Sequence, residues 1–360
     1  MTEDKSFFLN MAFELAKINL GSTKDNPSVG CIIEKNNTVL SSGYTSINGR
    51  PHAEYNALNK KLNFKNSNMY VTMEPCSHYG KTPPCTNIIK KKKIKNVYFS
   101  FIDQDLRSKN KSEKKLKKNK IIVKKSILKN KGKEFYKSYY IQHTRPIPYI
   151  DAKIAISKDF FTKNLKKKFI TNETSRSRGN FLRSMYDCLV STSKSINFDN
   201  AMMNCRIKGL ENKSPDLIII DRNLKIKKNL GILRKKTKRK IFLFTIKKDQ
   251  KKINFLKKRG IKIRFLKSLE NKKDYIIFYR TLKNMGYNRV FIETGFTFLN
   301  FMLNIGFINN LYVFQSKNLL NTFGLNNFKN KVFRRMKPNS RVKVNLKGDN
   351  LYKIKVKNNV

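Results

Sequence analysis

Length, composition and charge already exclude several classes of protein for this chain. Its 360 residues favour two domains, and 15 Gly with 9 Pro exclude a collagen-like or low-complexity chain. Lys+Arg outnumber Asp+Glu by 79 to 24, and the resulting formal net charge of +55 would ordinarily suggest a polyanionic partner. Because the excess is lysine spread along the whole chain, without interleaved arginine and aromatic residues, we expect no specific nucleic-acid partner.

The sequence carries no signal for membrane insertion or secretion. No apolar run approaches the ~20 residues of a membrane helix, and the acidic N-terminus is unlike a secretory leader. Five cysteines, an odd number, argue against a disulfide framework and for a reducing compartment. We therefore expect a cytoplasmic protein with no membrane partner.

The first 125 residues alternate between helical and strand patterns. Strands separated by helices predict an α/β layered domain. In chain order, we predict a helix over 6–20, strands over 29–33 and 38–44 joined at Asn36-Asn37, a helix over 52–62, a strand over 69–73, a helix over 86–93 and a strand over 96–101.

The motif Arg145-Pro146-Ile147-Pro148 predicts the boundary between two domains, 1–145 and 146–360. The second domain again mixes strand and helix patterns, which predicts one sheet with helices on both faces. Its predicted strands cover 149–157, 188–191, 217–221, 241–245, 261–265, 290–293 and 311–315, with helices over 173–185 and 298–305.

The strongest chemical pattern lies in residues 51–85. His52 and Glu54 open a predicted helix, Cys76 follows a predicted strand, and eight residues separate Cys76 from Cys85. One imidazole and two thiolates give Zn²⁺ three protein ligands and leave a fourth position for water, as in catalytic zinc sites. Glu54 is then placed to act as general acid and base, as in zinc deaminases with the H-x-E and P-C pattern.

Chance or a purely structural zinc site is the competing interpretation. A lone His-x-Glu is usually coincidence, and free cysteines are often ordinary core residues. The whole chain holds only three histidines, however, and one of them lies in this motif. The conjunction of all four residues favours a catalytic site.

The motifs around these residues resemble the family of bifunctional riboflavin-biosynthesis deaminase–reductases. The resemblance rests on Asn26-Pro27-Ser28-Val29-Gly30-Cys31, on Pro51-His52-Ala53-Glu54, and on the segment 74–85 with its Gly-Lys-Thr-Pro-Pro insert. It implies an N-terminal cytidine-deaminase-like three-layer domain and a C-terminal dihydrofolate-reductase-like α/β domain, both of the α/β class.

For the first domain, the resemblance implies zinc bound by His52, Cys76 and Cys85, with Glu54 as the catalytic proton shuttle. It also implies that Asn26, His78 and Lys81 bind a small phosphorylated pyrimidine. A lysine on the inserted loop suits the substrate's 5′-phosphate. Asp103 follows a strand as in the family, but the family's glycine-rich loop after it is Lys- and Ser-rich here.

For the second domain, the resemblance implies NADPH-dependent reduction of a ribosyl group without a G-x-G-x-x-G motif. Substrate-binding residues are implied at Arg183, Arg206 and Glu293. Cofactor-binding residues are implied at Lys153, Phe169, Asp199, Gly295 and Thr297.

This half also departs from the family pattern. Phe296 replaces the usual Pro, and Asp199-Asn200-Ala201 stands for Asp-Asp-Pro. Two alternatives therefore stay open: a deaminase whose second domain is a degenerate scaffold, and a zinc-containing nucleic-acid-binding protein. Family analogy further suggests a homo-oligomer.

Overall fold

The computed structural model describes residues 3–234, 238–327 and 340–356. The chain divides into two compact units, Met1–Pro146 and Ile147–Val360, next to the predicted Pro-rich boundary. Among the described residues, no helix combines the length and the apolar character needed to cross a membrane.

The first unit is built on a five-stranded sheet in the order β2-β1-β3-β4-β5. The pairs β1/β2 and β1/β3 are antiparallel, and β3, β4 and β5 run parallel. Its elements are α1 (Glu3–Lys17), β1 (Gly30–Lys35), β2 (Thr38–Tyr44), α2 (Ala53–Leu58), β3 (Asn68–Met73), α3 (Cys85–Lys91), β4 (Asn96–Phe101), α4 (Ser112–Lys117), β5 (Ile122–Lys124), α5 (Lys129–Phe135) and α6 (Lys137–Thr144).

A two-residue turn joins β1 to β2. Asn36 and Asn37 both have positive φ, 52° and 60°, which places them in the left-handed region that asparagine tolerates better than most residues. Such a turn matches the twist of paired strands. The predicted hairpin at Asn36-Asn37 is therefore confirmed.

A glycine in β2 lets α2 lie directly on the sheet. A Cβ at Gly43 would stand 2.3 Å from the carbonyl oxygen of Ala53 and 2.5 Å from the amide nitrogen of Ala57. No side chain fits in that space, so this close contact depends on glycine. The contact fixes the start of α2, where His52 and Glu54 lie.

The second unit has an eight-stranded sheet in the order β11-β10-β9-β8-β12-β6-β13-β15, in which only the β13/β15 pair is antiparallel. Its elements are β6 (Tyr149–Ile156), β7 (Phe161–Asn164), α7 (Glu173–Arg183), β8 (Cys188–Thr192), α8 (Ser193–Asp199), β9 (Asp216–Ile220), α9 (Gly231–Arg234), β10 (Ile241–Thr245), α10 (Gln250–Lys258), β11 (Ile261–Phe265), α11 (Lys272–Asn284), β12 (Arg289–Glu293), α12 (Phe296–Asn304), β13 (Asn310–Gln315), β14 (Gly324–Asn327) and β15 (Asn350–Lys355).

Strand β9 shows why this sheet is covered on both faces. Leu217 and Ile219 pack into one hydrophobic cluster, whereas Ile218 and Ile220 pack into another. Successive side chains of a strand point to opposite faces, so an unbroken apolar run requires a core on each side. The prediction of helices on both faces follows from the same pattern.

The structure corrects two details of the predicted elements. The helix expected over 52–62 is only Ala53–Leu58, with His52 as the residue preceding its first turn. The single predicted sheet of the second unit is accompanied by a two-stranded sheet of β7 and β14. The mostly polar strand β14, Gly-Leu-Asn-Asn, lacks the hydrophobic run that identifies a buried strand.

Candidate functional site

Three potential metal ligands converge in the first unit. His52, Cys76 and Cys85 each offer one ligand atom, and these atoms lie within 4.8 Å of one another. His52 Nδ1 is 3.6 Å from Cys76 Sγ and 3.5 Å from Cys85 Sγ. Residues separated by up to 33 positions therefore meet at one point.

Each ligand lies at the end of a regular element. His52 immediately precedes α2, Cys76 follows β3, and Cys85 is the first residue of α3 after Pro83-Pro84. The backbone N–H of Cys85 donates to Cys76 Sγ at 3.2 Å. Since α3 begins at Cys85, this N–H lies at the positive end of the helix and favours negative charge on the Cys76 sulfur.

The donor set and its spacing fit zinc. With Zn–S of about 2.3 Å and Zn–N of about 2.0–2.1 Å, tetrahedral geometry separates sulfur from nitrogen by about 3.6 Å. The two sulfur–nitrogen distances in the structure agree with this value. Hydrogen bonding from Cys85, helped by His52 and against the effect of burial, holds the pKa of the Cys76 thiol well below its ordinary value, so it favours the ligating thiolate.

Glu54 lies beside the ligand cluster and is only 4% exposed. Burial, with the negative charge of Cys76, raises the pKa of its carboxyl from 4.5 to about 7, although His52 acts in the opposite direction. A carboxyl group with a pKa near neutrality can both take and return a proton.

The inserted loop between the cysteines is connected to the start of α2. Arg50 Nη1 donates to Thr82 Oγ1 at 2.7 Å and lies 3.2 Å from His52 Nε2. His78, half-buried, has its Nδ1 2.7 Å from Ser108 Oγ. Lys81 is exposed at the tip of the loop.

Asn26 lies next to the segment that leads into His52. Its side chain contacts Gly49, where an added Cβ would be 2.4 Å from Asn26 Nδ2. Gly49 has φ of +85°, a conformation that favours glycine. Asn26 is therefore close in space to the beginning of α2, although it lies 26 positions before His52 in the sequence.

Glu74 is a structural residue of this site that sequence reasoning missed. Its buried carboxylate accepts hydrogen bonds from the backbone N–H groups of Asp103, Asn110 and Ser112 and from the Ser112 hydroxyl, at 2.8–3.3 Å. It therefore fixes the loop 103–112, whose shape the Lys- and Ser-rich sequence left uncertain. Asn110, with φ of 57°, adopts the left-handed conformation in which glycine is otherwise favoured.

Asp103 also belongs to this loop and is buried. It accepts from the backbone N–H of Asp105 at 3.0 Å and from the hydroxyl of Tyr139 at 3.1 Å. Burial raises the pKa of Asp103 to about 6 in spite of these donors. The loop is thus held from inside by Glu74 and Asp103.

In the second unit, Glu293 ends β12 and pairs with two cations. Arg183 donates to both of its carboxylate oxygens, at 2.8 and 2.7 Å, and Lys153 Nζ lies 3.5 Å away. Although burial alone raises the pKa of Glu293, these cations lower it to about 2. Two residues predicted separately to bind substrate are therefore partners in a two-point ion pair.

The other predicted residues of this unit lie at more exposed positions. Arg206 is exposed. Burial and the charge of Arg183 lower its pKa, whereas the charge of Glu293 raises it. Asp199 ends α8. Burial raises its pKa, whereas the charges of Lys168 and Lys153 act to lower it. Phe169 is 52% exposed, with the Arg176 guanidinium 4.3 Å from its ring centre.

Gly295 precedes the first turn of α12. Its φ of −69° suits any residue, and an added Cβ would only meet Ser195 Oγ at 3.5 Å. The missing side chain therefore leaves open space beside the first N–H groups of α12. Such N–H groups at a helix N-terminus stabilise phosphate groups. Its N–H donates to Ser195 Oγ, and Thr297 is exposed in the first turn. These features fit a phosphate-bearing cofactor.

Two family models match the chain. The cytidine and deoxycytidylate deaminase zinc-binding region covers residues 2–101, and the RibD C-terminal domain covers residues 148–320. These matches confirm the predicted fold class, a deaminase-like domain followed by a reductase domain. They also favour an enzyme over a nucleic-acid-binding protein.

Curated relatives resemble the chain over most of its length. The riboflavin biosynthesis protein RibD of Buchnera aphidicola (subspecies Baizongia pistaciae) is 30% identical in an alignment of length 333 that covers 88% of each chain. The RibD of Aquifex aeolicus is 29% identical over 88% of each chain. A diaminohydroxyphosphoribosylamino-pyrimidine deaminase of Buchnera aphidicola (subspecies Acyrthosiphon pisum) is 39% identical over 137 residues, which are 37% of this chain and 92% of the relative.

Solved structures share the fold. RibD of Acinetobacter baumannii matches with a TM-score of 0.80 and 24% identity over 99% of both chains. A deaminase/reductase of Thermotoga maritima matches with a TM-score of 0.81 and 22% identity over 99% of both chains. With its deaminase region, its reductase domain and its full-length relatives, the chain belongs to the RibD family of bifunctional riboflavin-biosynthesis deaminase–reductases.

Proposed function

We propose that the first unit hydrolyses the 2-amino group of a 2,5-diamino-6-(ribosylamino)pyrimidinone 5′-phosphate and that the second unit reduces the ribosyl group of the product to ribityl. The observation that carries the first step is the convergence of His52, Cys76 and Cys85 within 4.8 Å beside buried Glu54. The deaminase named among the relatives, which matches this half alone, supports the same reaction.

In the deamination, His52, Cys76 and Cys85 would hold zinc. Bound zinc supplies a Lewis acid that activates water for attack on an amino-substituted ring carbon. Glu54 takes one proton from the attacking water and gives it to the ring nitrogen. It then takes the second proton from the hydroxyl now bonded to the ring carbon and gives it to the amino group, which leaves as ammonia while the carbonyl forms. Its pKa of about 7 suits both transfers at neutral pH.

Substrate positioning falls to polar residues around this centre. Asn26 lies beside the segment entering α2 and is proposed to bind the pyrimidine. His78 and Lys81 occupy the inserted loop, and Lys81 is exposed where a mobile cation can meet a 5′-phosphate. The loop's connection to Arg50 through Thr82 supports this placement next to the ligands.

In the reduction, Arg183, Arg206 and Glu293 would bind the substrate, and Lys153, Phe169, Asp199, Gly295 and Thr297 would contact NADPH. Bound NADPH supplies a hydride for the anomeric carbon of the ribosyl group, and the protein binds and orients the two molecules. The pairing of β6 with β12 places Lys153 beside Glu293 at the carboxyl end of β12, the edge where parallel sheets place ligands.

A degenerate second domain is the less supported alternative. The ion pair of Arg183 with Glu293 is complete, Lys153 lies beside it, and the space at Gly295 is open despite Phe296. The reductase domain model also matches this half from residue 148 to 320. The domain match therefore favours a working reductase, and the site geometry is compatible with one.

Glu54→Gln tests the deamination. We expect the variant to retain one zinc per chain and to lose at least 100-fold in ammonia release, because a general acid–base typically contributes about 10²–10⁴-fold. Glu34→Gln is the matched control: Glu34 is equally buried in the same unit but accepts from Asn37 and Asn68. Undiminished turnover by Glu54→Gln would refute the proposed proton shuttle.

Arg183→Met tests the reduction. We expect oxidation of NADPH with the deaminated substrate to fall sharply while ammonia release is unchanged. Arg222→Met, which removes an exposed ion pair with Glu270, is the control. No NADPH oxidation by the unaltered protein would instead support the scaffold alternative. The cytoplasmic location and the homo-oligomer stay predictions.

A further inference from the structure

Ser108 is a fully buried hydroxyl that contacts the loop between the two cysteines. Its Oγ accepts the backbone N–H of Ser77 at 3.2 Å and lies 2.7 Å from His78 Nδ1. Backbone hydrogen bonds to Asp105 and from Lys111 hold Ser108 itself in place. Ser108 belongs to the loop 103–112, which Glu74 also holds, so it is part of a rigid support for the loop between the cysteines.

The protons at Ser108 Oγ can be assigned by elimination. The hydroxyl carries one hydrogen. Its oxygen already accepts the Ser77 N–H, and because that amide nitrogen is only a donor, the hydroxyl cannot donate its hydrogen to it. Within the part of the chain that the structure describes, His78 Nδ1 is the only acceptor near this hydrogen. A buried hydroxyl hydrogen without an acceptor is costly, so Oγ–H donates to Nδ1.

We propose that Ser108 is a positioning residue that holds His78 as the tautomer with a bare Nδ1 and a protonated Nε2. The inference rests on the proposed function, in which His78 binds the substrate. Held in this way, His78 presents an N–H donor to the substrate instead of an acceptor. The groups it suits are the ring carbonyl or phosphate oxygens of a phosphorylated pyrimidine.

The surroundings of Nε2 support a donor there. A Cβ added to Gly80 would lie 3.8 Å from His78 Nε2 and 3.7 Å from Arg50 Nη2, so both groups border the same space. Arg50 can only donate hydrogen bonds. Two donors that face one space match an oxygen-rich ligand, and the missing side chain at Gly80 keeps that space open.

Nitrogen NMR of the zinc-loaded protein tests the tautomer directly. The chain has three histidines, so ¹⁵N labelling of histidine gives three ring systems, and His78→Ala identifies the signal of His78. At pH 8, where imidazoles are ordinarily neutral, we expect His78 to show only the Nε2–H form. In Ser108→Ala, we expect a mixture of both tautomers.

Kinetics of ammonia release supply the second readout. We expect Ser108→Ala to raise KM about fivefold with little change in kcat, the loss expected for one hydrogen bond of about 1 kcal/mol. In a His78→Ala background, Ser108→Ala should have no further effect, because the residue acts through the imidazole. Ser67→Ala is the control, since Ser67 is equally buried and donates to the carbonyl of Phe64 in the segment before β3.

The outcomes separate the two proposals. An unchanged His78 spectrum in Ser108→Ala, or a full effect of Ser108→Ala in the His78→Ala background, overturns the positioning role. An Nδ1–H form in the unaltered protein overturns it as well. If the protein releases no ammonia yet the tautomer depends on Ser108, the proposed function fails while the positioning inference stands.

Discussion

Removing the carboxylate of Glu74 is the most direct test of how the loop 103–112 is held. Two donors, the N–H groups of Asp103 and Asn110, meet Oε2, and the N–H and hydroxyl of Ser112 meet Oε1. A glutamine keeps the volume but offers a single acceptor oxygen, so one of the two pairs must face an NH₂ group.

The expected cost follows from these four contacts. Hydrogen bonds to a charged group contribute about 1.5–3 kcal/mol each, and a buried donor left unpaired costs about 1–3 kcal/mol. Allowing for entry of water, we expect Glu74→Gln to cost about 2–3 kcal/mol and Glu74→Ala about 3–5 kcal/mol. For a unit of this size, Glu74→Ala then lowers the Tm by about 10 °C.

Thermal unfolding and amide hydrogen exchange measure this effect. We expect the amides of residues 103–112 to exchange faster in Glu74→Gln than in the unaltered protein. Glu14→Gln is the control, since Glu14 forms only an exposed i,i+3 pair with Lys17, worth at most about 1 kcal/mol. Equal unfolding temperatures for the two variants, with unchanged exchange in the loop, would refute the account.

Three further predictions concern the metal, the ion pair and the hairpin. Chelation of zinc should abolish ammonia release and lower the Tm of the first unit, because the folded unit then loses the free energy of metal binding; metal analysis and calorimetry measure this. The cations beside Glu293 lower its pKa from 4.5 to about 2, so its ionised form stabilises the second unit by about 3 kcal/mol above pH 4.5. This contribution is lost as the pH falls towards 2. Urea titrations from pH 7 to 3 should therefore show a weaker loss of stability with acid in Glu293→Gln than in the unaltered protein. Asn37→Gly should stabilise the hairpin and Asn37→Ala destabilise it by about 1 kcal/mol, as denaturant titration would show, because φ at Asn37 is 60°.

The cluster of potential metal ligands and most strands could be predicted from sequence because their signals are local. Strands such as Ile241–Thr245 are short apolar runs between polar segments, and the structure reproduces them. His52, Cys76 and Cys85 are rare residue types in a family pattern, so their chemistry is visible without coordinates. The predicted length of α2 was wrong because the helix ends at Leu58, although the sequence after it still has a helical hydrophobic pattern.

Side-chain partnerships were decided by the tertiary structure alone. Glu74 receives its donors from residues 29 to 38 positions away, Ser108 meets His78 across 30 positions, and Arg183 meets Glu293 across 110. Sequence patterns report which face of an element is apolar, but a hydrogen bond depends on where two distant backbones meet. In a chain with 79 Lys and Arg, charge alone does not show which cation a buried carboxylate will pair with, and only the packed strands and helices select it.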